Sequence, residues 1–340
     1  MRVLVTGGAG FVGSHACKAL SAEGHDPIVY DNLRTGHAWA VKWGPFHHGD
    51  LFDTARLVEV MRTEKVDAVM HFAALAYVGE SVARPDIYYR TNVAGTLSLL
   101  SAMQMAGVGE MVFSSTCATY GIAAETPIVE TTPQSPINPY GRSKLMVEDI
   151  LTDYASAFDI GATVLRYFNA AGSDPEGEIG EEHDPETHLV PLVLKAAAGE
   201  IPAVPVLGDD WPTPDGTCVR DYIHVCDLAD AHSKALSVVE AGQVKTFNLG
   251  TGQGFSVREV IDTVARVTGR SVPSKIAPRR PGDPPVLTAS SDAAHKALGW
   301  SAKRGTLEEM IESAWAWMVE HRTRVRLTSV LEQRNDRRSA

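Results

Sequence analysis

Cysteine is scarce in this chain of 340 residues. The four cysteines stand far apart, at Cys17, Cys117, Cys218 and Cys226. No two of them have the Cys-x-x-Cys spacing, so the pattern indicates neither a disulfide framework nor a cysteine-based metal site. We therefore expect reduced, buried thiols, as is usual in a reducing compartment.

Long apolar runs and an excess of basic residues are also missing. No apolar stretch is long enough to span a bilayer, and no signal or transit peptide precedes the first strand pattern, at residues 3–5. The formal net charge of -11 argues against nucleic acid or an anionic membrane as the main partner. We expect a cytoplasmic protein that binds neither, although a phosphate ligand needs only a local positive pocket.

A glycine-rich turn joins the first predicted strand, residues 2–6, to a helix pattern that ends near Gly24. The turn has glycines at 7, 10 and 13, which allow a tight bend, close approach of a pyrophosphate and close packing of helix on strand. The helix N-terminus then faces the anion. Because the motif lies between a strand and a helix, it predicts nucleotide binding rather than a merely tight turn.

Two carboxylates follow at predicted strand ends. Asp31 ends the second strand, about 20 residues after the glycine loop, where a carboxylate binds the ribose 2′-hydroxyl. It would repel a 2′-phosphate, which favours NAD over NADP, although Arg34 nearby weakens that preference. Asp50 ends a short strand and either accepts from the adenine amino group or caps the helix that starts at Asp53. Both interpretations stay open.

Strands and helices alternate over residues 1–170, which predicts a doubly wound parallel sheet, the Rossmann arrangement. Later strands are predicted at 66–72, 110–115 and 162–168, and helices at 84–106 and 140–158. Ligands bind beyond the carboxyl ends of such strands. Ala73, Thr116 and Asn169 therefore line one rim with the glycine loop.

The second half reads as a smaller α/β substrate lobe, residues 171–322, partly interleaved with the sheet. Its predicted helices are 189–199, 226–240, 256–268 and 305–321, and its predicted strands are 204–207, 245–249 and 274–277. Residues 323–340 form an arginine-rich tail, predicted as a frayed helix or a disordered end.

Tyr140 and Lys144 lie four residues apart, on one face of a helix whose start is marked by Pro136, Asn138 and Pro139. A free phenol, with a pKa of about 10, is a poor base at neutral pH, but a nearby ammonium group lowers that pKa. The pair therefore predicts a proton acceptor for a substrate hydroxyl. On its own this spacing also suits a surface tyrosine beside a solvated lysine; the N-terminal glycine loop favours the catalytic interpretation.

Together these features resemble the sugar-nucleotide epimerases of the extended short-chain dehydrogenase/reductase superfamily, over residues 1 to about 320. The most specific segments are GGAGFVGSH (7–15), HFAAL (71–75) with VGES (78–81), PYGRSK (139–144), LRYFN (165–169) and DGTCVRDYIHV (215–225). The last two separate sugar-nucleotide epimerases from most other members.

The resemblance implies an NAD-dependent nucleotide-sugar 4-epimerase, an isomerase. It would interconvert UDP-glucose and UDP-galactose by inversion at sugar C4 through a 4-keto intermediate, with tightly bound NAD as transient hydride acceptor. The implied catalytic residues are Tyr140, Lys144 and Thr116. The implied cofactor-binding residues are Gly7, Gly10, Phe11, Val12, Gly13, Asp31, Asn32, Asp50, Leu51, Phe72, Ala73, Ala74, Asn92, Ser114, Tyr140, Lys144 and Tyr167. The implied substrate-binding residues are Thr116, Tyr140, Asn169, His188, Leu189, Arg220, Arg280 and Asp283.

Three positions depart from the pattern of the relatives. Thr116 stands where many epimerases have serine, which keeps the hydroxyl. Ala76 stands where some have a lysine near the cofactor phosphates, which weakens NAD retention. Leu287 occupies a position that is tyrosine in some glucose-only enzymes and small in enzymes that also accept N-acetylated sugars. We expect weak or no turnover of UDP-N-acetylglucosamine.

Other functions fit the residues less well. Dehydratases of this superfamily carry an Asp-Glu pair directly after the threonine, whereas Cys117 and Ala118 follow Thr116 here. The glutamate usual in decarboxylases of sugar acids is absent from the same stretch. The remaining alternatives are 4-epimerisation of another UDP-sugar (UDP-xylose/UDP-arabinose, a UDP-uronic acid or an N-acetylated sugar) and, more remotely, a non-catalytic NAD-binding sensor.

No metal site is expected, because the adjacent pair His47-His48 lacks helical spacing and no Cys/His cluster is near. The relatives are usually homodimers joined by two helices per subunit. The resemblance therefore implies a homodimer through helices at about 84–106 and 140–158.

Overall fold

A computed structural model describes the backbone of residues 1–339 and the side chains of residues 1–323. The predicted tail, residues 323–340, lies outside the residues whose side chains are described, apart from Thr323. The strands are β1 (Arg2–Thr6), β2 (Asp26–Asp31), β3 (Phe46–His48), β4 (Ala68–His71), β5 (Glu110–Ser114), β6 (Gly161–Tyr167), β7 (Asn169–Ala171), β8 (Val204–Leu207), β9 (Val219–His224), β10 (Val244–Leu249), β11 (Gly254–Ser256), β12 (Ser274–Ala277) and β13 (Val286–Leu287). The α-helices are α1 (Phe11–Ala22), α2 (Thr54–Thr63), α3 (Val78–Ala83), α4 (Pro85–Tyr88), α5 (Gly95–Ala106), α6 (Pro139–Phe158), α7 (Leu189–Ala197), α8 (Val225–Leu236), α9 (Val257–Thr268), α10 (Asp292–Leu298) and α11 (Leu307–Ser339).

Seven parallel strands form the central sheet, in the order β10-β6-β5-β4-β1-β2-β3. The order reverses beside β1, which opens a crevice at the carboxyl ends of β1 and β4. The predicted doubly wound parallel sheet is confirmed. Strand β10 comes from the second half of the chain and pairs with β6, so the first six strands alone do not complete the sheet.

Helices cover both faces of the sheet, and each face has its own apolar layer. Helices α2, α5 and α6 enclose one layer with residues such as Leu57, Leu99 and Val147. Helices α1 and α8 enclose the other, where Leu20 and Leu228 are fully buried. Burial on both faces explains why the central strands read as apolar runs rather than alternating patterns.

The second lobe is built on two small sheets and three helices. Strand β9 pairs with β7, β11 and β13, while β8 pairs with β12. Helices α7, α9 and α11 pack around a third apolar cluster that includes Val190, Val260 and Met310. The division into lobes at residue 170 stays a prediction.

The predicted long helix at 84–106 is interrupted in the structure. Arg84 ends α3, and Pro85 occupies the first position of α4, where its missing N–H costs no helical hydrogen bond. A π-helical turn at Tyr89–Ala94 then joins α4 to α5. Among the described residues, no helix is both long and apolar enough to cross a membrane.

Candidate active site

A cavity of about 740 Å³ opens at the carboxyl ends of the central strands and extends between the sheet and the second lobe. Most of the predicted site residues border it: Gly7, Gly10, Phe11, Val12, Gly13, Asp31, Asn32, Asp50, Leu51, Phe72, Ala73, Ala74, Thr116, Tyr140, Tyr167, Asn169, His188, Leu189, Arg220, Arg280 and Asp283. Ala76 and Leu287, two positions that depart from the relatives, border it as well. Three predicted residues do not: Asn92, Ser114 and Lys144.

The glycine loop is built by close backbone contacts. Gly7 has φ +75°, a left-handed conformation, and a Cβ there would lie 2.6 Å from the backbone nitrogen of Ala73. A Cβ on Gly13 would lie 2.2 Å from the carbonyl oxygen of Gly7. Only glycine therefore lets α1 start this close to β1 and β4, with its N-terminus at the cavity.

Asp31 ends β2 at the cavity wall, beside the glycine loop. Its carboxylate accepts hydrogen bonds from the backbone N–H groups of Ala9 (3.0 Å) and Leu33 (2.8 Å). Burial raises the pKa of Asp31, and these two hydrogen bonds act in the opposite direction. The carboxylate is thus fixed in place by the loop that it borders.

Asp50 also borders the cavity, and one of its two predicted interpretations is wrong. The N-cap of α2 is Asp53, whose side chain accepts from the backbone N–H of Arg56. Asp50 instead accepts from the side-chain amide of Asn32 at 2.8 Å. Its second oxygen accepts from the backbone N–H of Phe52.

Asn92 and Ser114 lie behind the cavity wall. Each forms hydrogen bonds with a residue of that wall, Leu75 and Tyr167 respectively. Asn92 is buried and exchanges two hydrogen bonds with the backbone of Leu75, while its amide also donates to the hydroxyl of Ser143. It thereby fastens the loop after β4 to helix α6. The Ser114 hydroxyl shares a hydrogen bond of 2.9 Å with the hydroxyl of Tyr167.

Tyr140 and Lys144 occupy the first two turns of α6. Asn138 caps this helix by accepting from the backbone N–H of Gly141, and Pro139 takes the first helical position, as predicted. Tyr140 borders the cavity, whereas Lys144 lies beneath it, with 4% of its surface exposed. Its ammonium nitrogen donates to the carbonyl oxygen of Ser114 at 2.9 Å.

The pKa values of the pair differ from the simple expectation. Burial raises the pKa of Tyr140 well above its usual value, Tyr167 adds to the rise, and a hydrogen bond with Thr116 opposes it. Burial lowers the pKa of Lys144 to about 7, against the opposing effect of Glu148. In the chain itself, desolvation therefore outweighs the predicted lowering of the tyrosine pKa by the lysine.

A buried ion pair between Glu148 and Arg166 lies beneath the site and was not predicted from the sequence. Glu148, one turn after Lys144, receives hydrogen bonds from the guanidinium of Arg166 and from the hydroxyl of Ser115. Arg166 also donates to the hydroxyl of Tyr120. The spacing from Lys144 to Glu148 was the available signal, because residues four apart share a helix face.

On the lobe side, two cations converge on one carboxylate. Arg280 donates two hydrogen bonds to Asp283, at 2.9 and 2.8 Å, and Arg220 approaches the same carboxylate at 3.7 Å. Asp283 is largely buried, so it holds both guanidinium groups at the cavity wall. Such fork-shaped donors bind phosphate oxygens in pairs.

Four side chains form a cluster beside the same cavity: Glu181, His183, Glu186 and His188. Only His188 had been predicted as a site residue, and the absence of a metal site stays a prediction. Burial alone lowers the pKa of each histidine, but the two carboxylates raise that of His183 to about 9 and that of His188 to about 10. The spacing E-x-H-x-x-E-x-H was the available signal.

A doubly wound sheet with a glycine loop, a carboxylate after the second strand and a buried Tyr–Lys pair defines a dinucleotide-dependent enzyme of the short-chain dehydrogenase/reductase type. A family model described as "NAD dependent epimerase/dehydratase family" matches residues 3–250. The chain belongs to this family, which confirms the predicted resemblance.

Individual relatives agree over nearly the whole chain. The UDP-glucose 4-epimerase of Halalkalibacterium halodurans is 50% identical over 322 residues, which cover 94% of this chain and 96% of the relative. A crystal structure of UDP-glucose 4-epimerase from Brucella ovis in complex with NAD matches with a TM-score of 0.89 at 52% identity, covering 93% of this chain and 97% of that chain. The crystal structure of UDP-glucose 4-epimerase from Bifidobacterium longum in complex with NAD⁺ and UDP matches with a TM-score of 0.91 at 41% identity. The match covers 94% of this chain and 98% of that chain.

Proposed function

We propose that this protein is an NAD-dependent enzyme that interconverts UDP-glucose and UDP-galactose by inverting the configuration at sugar C4. One observation carries the proposal. A single cavity is bordered by the glycine loop, by Tyr140 with Thr116, and by the arginine pair on the lobe. That arrangement occurs in a chain half identical to UDP-glucose 4-epimerases over almost its full length.

The residues at one end of the cavity fit NAD. The close contacts at Gly7 and Gly13 leave room for a diphosphate against the backbone, at the N-terminus of α1. Asp31 is placed to accept hydrogen bonds from a ribose, and its negative charge disfavours a 2′-phosphate. When bound, NAD accepts the hydride from C4 and returns it to the opposite face of the sugar.

Tyr140 is the residue that we propose as proton acceptor for the 4-hydroxyl. Its hydroxyl already interacts with Thr116, which extends the hydrogen-bonding surface toward the sugar. Lys144 lies beneath the cavity. Because its pKa is about 7, only part of the lysine population is positively charged at neutral pH. A positive charge near Tyr140 lowers its pKa and favours the phenolate, which is the form that can accept the proton of the 4-hydroxyl.

Binding of the UDP part is proposed for the lobe side. Arg220 and Arg280 face the cavity as charge-assisted donors for the diphosphate, with Asp283 fixing their orientation. The other proposed contacts are Asn169, His188 and Leu189, which border the same region. With Cys117 and Ala118 after Thr116, this wall lacks the acid and base that a dehydratase needs there.

The test is an assay of the purified protein, without added cofactor, on UDP-galactose. We expect conversion to UDP-glucose, read by chromatography, and release of NAD when the protein is heat-denatured. Conversion only after NAD is added would retain the reaction but contradict retention of the cofactor. No conversion even with NAD would overturn the proposed substrate, and UDP-arabinose, UDP-glucuronate and UDP-N-acetylgalactosamine would then be assayed in the same way.

We also propose a homodimer that forms through α5 and α6. Both helices lie on the same face of the sheet. Each carries large apolar side chains that are exposed in the single chain: Leu97 and Met105 on α5, and Met146 and Phe158 on α6. Apolar surface of this kind is stabilised by contact with a second copy.

A further inference from the structure

We propose that the cluster of Glu181, His183, Glu186 and His188 binds one divalent transition-metal ion of the zinc class. The four residues lie in the segment that leads into α7, and Glu181, His183 and His188 border the cavity. The site is distinct from the Tyr140 and arginine sites, although its His188 is also a proposed substrate contact, and the proposal does not depend on which sugar is the substrate.

The distances within the cluster suit a tetrahedral ion. The four ligand atoms, one from each residue, all lie within 4.8 Å of one another. Zinc binds imidazole nitrogen and carboxylate oxygen at about 2.0–2.2 Å in tetrahedral geometry, which separates neighbouring ligand atoms by about 3.4 Å. Nδ1 of His183 lies 3.4 Å from Oε1 of Glu181 and 3.6 Å from Oε2 of Glu186.

His183 gives the clearest indication. Its Nδ1 is buried and makes no hydrogen bond in the described structure. A charge-assisted N–H···O bond is about 2.7–2.9 Å long, so the two neighbouring carboxylates are too far away to provide one. A buried polar atom left unpaired costs about 1–3 kcal/mol. A metal ion between this nitrogen and the two carboxylates removes that cost.

The other three proposed ligands, His188, Glu181 and Glu186, are also held close together. Nδ1 of His188 lies 2.9 Å from Glu181 and 3.0 Å from Glu186. The side chains of Glu181 and Glu186 are only 8% and 3% exposed, so their charges need compensation, which comes either from a bound metal ion or from protons on the two imidazoles. Oε1 of Glu186 accepts from the backbone N–H groups of Thr187 and His188, both at 2.8 Å, which leaves Oε2 as the ligand atom.

The aromatic ring of Tyr77 completes the surroundings of the cluster. The aromatic ring of Tyr77 lies beside both imidazoles, with ring centroids 6.0 Å from His183 and 5.8 Å from His188. Partners of this kind orient the ligands of a metal and restrict access of water. Because four protein ligands fill a tetrahedral shell, we assign a structural site that fixes residues 181–188 as part of the cavity wall.

A second group of carboxylates lies elsewhere in the chain and already has a cation. Asp174, Glu176 and Glu178 also converge, but the ammonium of Lys18 lies among them at 2.9, 2.6 and 2.7 Å. That group already has its cation in the chain. The His–Glu cluster has none apart from protons on its own imidazoles.

The test uses the purified full chain, dialysed against a chelator and then titrated with ZnCl₂ by calorimetry. We expect one zinc ion per chain and a higher thermal unfolding midpoint in the zinc-loaded protein. Titration with CoCl₂ should give the intense visible absorption of four-coordinate cobalt. The absence of stoichiometric zinc binding, or a six-coordinate cobalt spectrum, would overturn the proposal and would identify the cluster as two imidazolium–carboxylate pairs.

Variants locate the site. His183→Ala and Glu186→Gln should each weaken zinc binding by more than the roughly 10–100-fold loss typical of a lost outer-shell partner. His295→Ala removes an exposed histidine on α10 and should bind zinc like the parent. Unchanged affinity in both cluster variants would contradict the assignment, and if they do not fold, the cobalt spectrum of the parent chain decides. Epimerase activity of the chelated parent is measured separately, so failure of the metal site leaves the proposed reaction untouched.

Discussion

Tyr140 combines two properties that oppose each other. Its place at the start of α6 brings the hydroxyl to the cavity, but burial raises the pKa of that hydroxyl. A buried phenol releases its proton only beside a positive charge or a strong hydrogen-bond donor. The side chain is therefore built to act when the cavity is loaded rather than in the free chain.

The hydroxyl of Tyr140 can be removed without removing the ring. Tyr140→Phe should lower kcat for UDP-galactose by about 10²–10⁴-fold, since a positioned general base contributes about that much. The variant should still release NAD on denaturation, because the ring remains. Tyr154→Phe, on the same helix, is the matched control and should keep parental kcat. Parental turnover by Tyr140→Phe would remove Tyr140 as the base.

Leu287 restricts which sugars the cavity can accept. It lies in β13 at the cavity wall and is 6% exposed, so its side chain restricts the space there. We expect kcat/KM for UDP-N-acetylglucosamine to be at least about 10-fold lower than for UDP-glucose, in line with the cost of a poor fit. Leu287→Gly should reduce this difference, whereas the volume-conserving Leu287→Met should not. Comparable rates for both sugars in the parent would contradict the expectation.

Single residues were predictable where a motif fixes the backbone. The glycine loop, Asp31 and the Tyr140 helix could be located from spacing alone, because strand ends of a parallel sheet meet at one edge. The orientation of a side chain was not available in this way. Asn92 was expected at the cofactor, yet its amide is occupied by Leu75 and Ser143, which only the packing of three separate segments determines.

At the scale of elements, the junction of β1, β4 and α1 depends on the absence of side chains. The loop after β4 passes so close to Gly7 that the loop backbone occupies the space that a Cβ on residue 7 would need. Helix α1 then starts directly over the crevice. Any side chain at this junction displaces a strand end rather than a flexible neighbour.

A pair of variants separates this contact from simple backbone strain. Gly24→Ala, at φ +81° with open space around it, should cost about 1–2 kcal/mol of unfolding free energy. Gly7→Ala, at φ +75°, should cost about 1–3 kcal/mol more, because its Cβ meets the backbone of Ala73. Gly7→Ala should also lose retained NAD. Urea unfolding of both variants measures the difference, and equal costs would show that the contact relaxes freely.

Element boundaries were predicted well where the apolar pattern is strong. Strands β1, β8 and β12 and helix α6 agree with their predicted ranges to within a residue. Strand β9 was not predicted, because its polar residues serve tertiary contacts. Its Asp221 is fully buried and accepts from the backbone of Thr251, Gly252 and Ala289. Hydrophobic periodicity does not report such a role.

For the whole molecule, the proposed dimer leads to a direct measurement. Sedimentation velocity of the parent should give a single dimer peak. Met146→Glu and Phe158→Glu place charges on the exposed face of α6 and should shift the protein to monomer. Ile122→Glu, at an exposed apolar residue in a loop, is the control and should stay dimeric. A monomeric parent would contradict the proposal.

Acid should destabilise the fold. Four histidines are buried in the neutral form: burial lowers the pKa of His71 to about 3 and that of His15, His224 and His232 to about 4. Below the unfolded value of about 6.5, the unfolded chain binds protons that the folded chain does not, so stability falls as the pH falls. Each group contributes up to about 2 kcal/mol of loss at pH 5.

Urea unfolding at pH 7 and pH 5 measures this loss. His71→Gln should show a smaller difference between the two pH values, because the remaining polar side chain does not titrate. His295→Gln, an exposed site, should leave the difference unchanged. A free energy of unfolding that is equal at both pH values would contradict neutral burial.

The architecture as a whole was predictable because alternating strands and helices have few right-handed solutions. What the pattern did not reveal is which sheet a strand of the second half joins. The apolar run at 245–249 was assigned to the lobe, but it pairs with β6 through residues 244–249. Pairings between distant segments depend on three-dimensional packing that a local window does not contain.

This late pairing has a consequence for biosynthesis. Once a ribosome has made β6, and until it has made β10, β6 is an unprotected edge whose backbone groups can pair with other nascent chains. The sheet closes only after residues 168–243 have emerged and β10 has docked. A polysome translating this message would therefore carry aggregation-prone intermediates during this part of each round, and chaperone demand should fall once β10 leaves the exit tunnel.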